Sequence, residues 1–194
     1  MKSDKKKEIR IVEFIDAVAM QQWLGQNHTL NEGIWLKIAK KSSGIQSVNY
    51  QEALKVALCY GWIDGQVNKL DENYYIQKFT PRRARSIWSK RNVGIAEQLI
   101  AEGRMQPPGL KEIERAKADG RWQKAYDSPG NMEIPDDFLL ELNKNQKASM
   151  FFRTLNKTNL FAIGYRLQTA KTTETRQKRM TEIIRMLEKE EKFH

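Results

Sequence analysis

The stretch from Gly61 to Pro81, "GWIDGQVNKLDENYYIQKFTP", decides the fold class. Trp62–Lys69 and Tyr74–Phe79 are rich in aromatic and β-branched residues, and Asp71, Glu72 and Asn73 between them form a turn cluster. That pattern predicts an antiparallel hairpin over 62–79, stopped by Pro81, which has no N–H for a ladder. Strict alternation puts Ile63 and Val67 on one face, for a core, and Trp62, Asp64, Gln66 and Asn68 on the other. Gly65 admits the close approach of a backbone or ligand, or marks a bulge.

The same reading extends to both sides. Upstream, Asn49 with Glu52 makes a capping box for a helix carrying Ala53, Leu54, Val56, Ala57 and Leu58, and Gly61 suits its left-handed end. Ile34, Leu36 and Ile38 alternate with Trp35, Lys37 and Ala39 as a strand, with Gly44 marking a turn after it. Glu8 to Phe14 reads as a short strand, and Asp16 as the cap of a helix to Gln26 with Val18 and Trp23 among its apolar positions. Strand signals vanish from Ser86 onward. Ser86 or Ser89 begins a helix to Glu102, Pro108 and Pro135 open two more, and 147–155 and 159–170 supply others. Thr172 or Thr173 caps a last helix with Met180, Ile183, Ile184 and Leu187 as its stripe. The expectation is an α+β fold: a small mixed or antiparallel sheet with helices over residues 1–85, and an all-helical C-terminal part over 86–194.

Composition narrows the function classes. The chain has 194 residues, 40% hydrophobic and 30% charged, enough to bury a core without a staple. Cys59 is the single cysteine and lies in an apolar run, so it reads as a small buried hydrophobe. His28 and His194 are the two histidines, too few with one cysteine for a zinc site. No metal or cofactor is implied. No apolar run reaches the roughly 20 residues of a membrane span. Met1–Glu8 is basic with no apolar segment behind it, so a cytoplasmic protein is expected. The net charge of +10 and pI near 9.6 favour anionic partners.

Those partners have an obvious place to bind. Lys78, Arg82, Arg83, Arg85, Lys90 and Arg91 fall within 15 residues that contain no acid. Guanidinium forks suit phosphate and carboxylate, and helix N-termini hold anions. An anionic ligand would then be clamped by Arg82 and Arg83, bonded by Thr80, Ser86, Ser89 and Asn92, and covered by Trp62 or Trp88. Asp64 is the one candidate for acid–base work, in phosphate-ester hydrolysis. Lys171 and Arg176 could serve the same site. The competing structural reading is that the arginines pair with Asp64, Asp71 or Glu72 and fasten the hairpin to the helix. Nucleic acid is the alternative ligand, since basic residues interleave with aromatics here. A protein partner is a further class.

"EALKVALCYGWIDG" (52–65) followed by "FTPRRARSIWSKRN" (79–92) resembles the YdeI/OmdA family, the bacteriocin-protection or OmpD-associated proteins. Gly120-Arg121-Trp122, Ala125-Tyr126, "IPDDFLLEL" (134–142) and "AKTTETRQKRM" (170–180) are similar to the family too, so the resemblance runs over nearly all of the chain after residue 30. Tyr60 stands where members carry Phe, and 156–168 departs from the family pattern. The resemblance implies an association with antimicrobial resistance and stress and with an outer-membrane porin. It implies no reaction and no catalytic residue.

Overall fold

A computed structural model describes residues 9–194, so the basic opening 1–8, including the expected strand start at Glu8, lies outside the described residues. The chain forms two compact units. The first runs to Trp88 and takes in Asn92–Lys124; the second comprises Ser89–Arg91 and Ala125–His194. The boundary read from sequence lay at 85/86; residues 92–124 belong to the same unit as the sheet.

The first unit contains β1 (Ile11–Glu13), α1 (Ala17–Asn27), β2 (Ile34–Ala39), α2 (Tyr50–Cys59), β3 (Trp62–Lys69) and β4 (Tyr74–Pro81), followed by α3 (Lys90–Ala101, from Asn92 onward in this unit) and α4 (Pro107–Ala118). Its four strands are ordered β1-β2-β4-β3, with β1–β2 parallel and the other pairs antiparallel. The mixed sheet and the helical C-terminal region make the fold α+β, as the hairpin signal required. Asp16 caps α1 by accepting from the Ala19 N–H at 2.8 Å. The capping box at Asn49 and Glu52 closes in both directions. Gly61 ends α2 with φ +74°. In α1, however, Met20 and Leu24 enter the core, and Val18 is 61% exposed.

The alternation expected for β3 fails, and the cause is visible. Trp62 is fully buried and Val67 is 60% exposed, the reverse of the sequence reading. Asp64 faces Phe79 and Val67 faces Gln77, so β3 carries one residue more than β4 over this step. This bulge brings Trp62, Asp64, Val67 and Lys69 to one face of the strand. The Gln77 amide closes the irregularity by donating to Gly65 O at 2.7 Å. Beyond Asp64 the strand runs past the core along the sheet edge, so it is exposed on both faces. Cys59 is buried as expected, and burial pushes its thiol above the ordinary range, so it stays protonated at neutral pH.

The second unit packs α5 (Asp136–Leu142), α6 (Gln146–Phe152), α7 (Lys157–Gln168) and α8 (Thr173–Glu188) around Phe138, Leu142, Ile163, Leu167, Met180, Ile183 and Leu187. Thr172 caps α8. Asn159, 1% exposed, is fully engaged: its Nδ2 donates to Asn156 Oδ1 and His194 O, and its Oδ1 accepts from the Phe193 and His194 N–H groups. Asp127 accepts from Lys90 at 2.7 Å and from Gln168 Nε2 at 2.8 Å. No helix of the described residues is long and apolar enough to cross a membrane.

The Asp127 contacts set a pH dependence. The Lys90 hydrogen bond, with help from the Gln168 bond and against the opposing push of burial, holds the Asp127 carboxyl below its ordinary range. A depressed folded value gives stability that is present above the unfolded pKa of about 3.9 and is lost as pH falls through the folded one. Lys90 is 64% exposed, so solvent screening keeps the contribution below about 1 kcal/mol. The urea midpoint of Asp127→Asn should therefore fall less between pH ~7 and pH ~2.5 than that of the parent chain. Identical pH profiles would show that the contact contributes nothing.

Candidate functional site

The candidate site lies in the first unit, where the chain leaves β4. Arg82 continues the ladder with its backbone, donating to Gly61 O at 2.9 Å. Its side chain turns inward and is 6% exposed. The guanidinium lies 3.4 Å from the centre of the Trp88 ring, and Nη1 donates to Ile87 O at 3.2 Å. A planar cation over an indole face is a strong arrangement when desolvated. Trp88 in turn meets Trp122 edge-on at 4.8 Å. The loop between Arg82 and Trp88 is closed by Ser86, whose hydroxyl oxygen accepts from the Arg83 N–H at 3.0 Å and whose own N–H donates to Arg83 O at 2.9 Å.

Arg121 completes this cluster. Nη1 donates to Ser86 O at 2.6 Å, while Nε bridges both Asp119 oxygens at 2.8 and 2.7 Å. That bond to Arg121 holds the Asp119 carboxyl below its usual range. Arg121 Nη2 and Trp88 Nε1 are buried donors that meet no hydrogen-bond acceptor among the described residues. Arg121 is held to the loop through Ser86 O, and Trp88 is the last residue of that loop. A buried donor left unmatched costs about 1–3 kcal/mol, and both groups are donor-only. Outside them, Arg83 and Arg85 are exposed. The arrangement is a concentration of N–H donors and positive charge with one carboxylate, Asp119, already bridged.

Several expected roles change. Neither Trp62 nor Trp88 offers a ring face to cover a ligand: they are 0% and 2% exposed, Arg82 lies over the Trp88 ring, and the Trp62 indole N–H donates to His28 O at 2.8 Å. Ser86 is not a helix cap, since α3 begins at Lys90, immediately after Ser89. Ser89 belongs to the second unit, where it bridges Tyr126, while Asn92 is buried in the first. Arg176 is committed within the second unit to both oxygens of Asp137, with Nη2 to Oδ1 at 2.9 Å, joining the starts of α8 and α5. Lys171 is exposed in the turn before α8. Thr80 is half-buried on β4, opposite Ile63.

The acids expected to pair with the strip have other partners. Asp64 accepts from the Tyr50 hydroxyl at 2.9 Å. Glu72 pairs with Lys69 at 3.2 Å, and Asp71 accepts from the Asn73 and Tyr74 N–H groups. Sequence reasoning missed Arg121. Its signal was an Arg-Trp pair directly after Gly120, which ends α4 with φ +76° and turns both side chains back toward the strip. Among the described residues no three His, Cys, Asp or Glu side chains gather as a metal site.

Residues 12–112 match a family described as a domain of unknown function, DUF8412, and the chain belongs to that family. Residues 131–190 match the family described as Bacteriocin-protection, YdeI or OmpD-Associated, so the resemblance seen in "IPDDFLLEL" and "AKTTETRQKRM" identifies a YdeI/OmdA segment. The helix, hairpin and strip motifs fall within the first match rather than the second. No curated protein and no solved structure matches the chain.

Proposed function

We propose that the chain is a cytoplasmic binding protein for a small anionic, phosphorylated ligand, held by the Arg82–Trp88 loop and Arg121, in a role tied to stress or antimicrobial resistance. One observation carries this reading: Arg121 Nη2 and Trp88 Nε1 are buried donors that meet no acceptor among the described residues, one on a side chain bonded to the Arg82–Trp88 loop and one on the loop itself. Phosphate oxygens supply the missing acceptors, and guanidinium geometry favours them. Arg83 and Arg85 lie outside and add to the field that draws an anion in. The family description of residues 131–190 supports the resistance role by its words "bacteriocin-protection" alone.

A thermal-shift panel with inorganic phosphate, nucleotides and phosphosugars tests the proposal. A ligand at about 100 times its Kd adds about 2.7 kcal/mol of stability. The shift should vanish in Arg121→Gln, measured against that variant's own baseline, and weaken a few-fold in Arg83→Ala/Arg85→Ala. An equal shift in Arg121→Gln, or a flat panel across all three classes, sinks it.

A further inference from the structure

The sheet of the first unit has a second face. Ile34, Leu36, Ile38 and Phe79 point into the core with residues of α1 and α2. Alternation sends Trp35, Lys37 and Ala39 of β2, and Tyr74, Ile76 and Lys78 of β4, to the opposite face. The register sets them in facing pairs: Trp35 with Lys78, Lys37 with Ile76, Ala39 with Tyr74. An aromatic ring therefore stands at each end of the row, about 13 Å apart along the strands, with an ammonium group over each ring. Lys78 Nζ is 5.7 Å from the Trp35 ring centre, and Lys37 Nζ is 3.7 Å from that of Tyr74. All six side chains remain partly open to solvent.

Rings on a pleated sheet face, each with a cation over it, match the two repeating parts of a nucleic-acid strand. Every base has a π-face that stacks, and every phosphate attracts an ammonium. A duplex hides its base faces, whereas a single strand presents them. The net charge of +10 adds long-range attraction for a polyanion. We infer that this open sheet face binds single-stranded nucleic acid, its phosphates drawing Lys78 and Lys37 off the rings they now lie over so that bases stack on Trp35 and Tyr74. The site is separate from the Arg82–Trp88 loop and does not depend on it.

Glu13 supplies a signed test. It pairs with Lys37 at 3.0 Å, and this bond raises the lysine pKa. An incoming phosphate competes with that carboxylate for Lys37. Glu13→Gln should therefore tighten binding.

The experiment is fluorescence anisotropy of a labelled oligothymidylate of about a dozen nucleotides, within the usual site size. The same sequence as a duplex is the comparison. Binding should be salt-sensitive and weaker for the duplex. Trp35→Ala should weaken it roughly tenfold or more, and Trp35→Phe should retain most of it. Lys78→Gln should reduce the slope of log K against log salt by about 0.7. If Trp35→Ala perturbs the fold, Lys78→Gln and Glu13→Gln still decide. The inference is overturned if the oligonucleotide does not bind, if duplex binds as well as single strand, or if Glu13→Gln weakens binding. It is also overturned if Arg83→Ala/Arg85→Ala abolishes binding while the sheet variants do not, which would place nucleic acid on the strip.

Discussion

Trp62→Ala is expected to lower the unfolding free energy by about 3–5 kcal/mol, the range for truncating a buried large aromatic. Trp62 is fully buried in the first unit's core and meets Trp23 edge-on at 6.2 Å. Its removal takes away both transfer free energy and the packing around the hole it leaves. It also removes the donor that satisfies His28 O at the end of α1. Trp62→Phe separates the two contributions: it keeps a ring and loses the N–H, so a loss of about 1–3 kcal/mol is expected from the unmatched carbonyl and reduced packing. Domains have about 5–15 kcal/mol in total, so the alanine variant consumes a large share. Urea unfolding followed by far-UV circular dichroism reads both variants. A loss below about 1 kcal/mol for the alanine variant would contradict a core role, since surface changes fall near that size.

Gly33→Ala is expected to cost about 2–5 kcal/mol, combining left-handed backbone strain with overpacking. Gly33 has φ +70°, and a Cβ there would stand 2.2 Å from Phe79 O and 2.9 Å from Thr80 Cα. These are backbone atoms of β4, held by the Ile34–Phe79 pairing, and they cannot swing aside as a long side chain would. Gly44 provides the control. It has φ +67° with nothing within 4 Å of its Cβ position, so Gly44→Ala carries the backbone strain alone, about 1–2 kcal/mol. The difference between the two denaturation midpoints measures the close approach of β2's entry to β4. Equal losses would refute that contact.

The elements most legible in the sequence were those governed by neighbours along the chain. The capping box at Asn49 and Glu52, the Asp16 cap, the alternation of Ile34, Leu36 and Ile38 and the left-handed Gly61 all depend on groups a few residues apart. Their physics is local, so spacing is sufficient to read them. The strip was legible as a cluster of charge for the same reason. The burial of its members was not: Arg82 lies inside and Arg83 and Arg85 outside, although the three are sequence neighbours. Arg121 lies 35 residues from Ser86, and nothing in the intervening composition announces their hydrogen bond.

The sequence by itself determined an α+β chain, a hairpin with its turn at 71–73 and its basic exit, because side-chain shape, turn chemistry and charge act over short separations, although β4 runs through Pro81, where a stop was expected. Only the tertiary structure decided which face of β3 enters the core. Trp62 enters it, while Val67, brought to the same face by one extra residue that Gln77 closes from across the strand pair, lies past the edge of the core. Only the tertiary structure brought Arg121 to the strip and laid Lys78 beside Trp35. Such contacts join distant residues through the closure of long loops, and their free energy depends on packing that no local window contains.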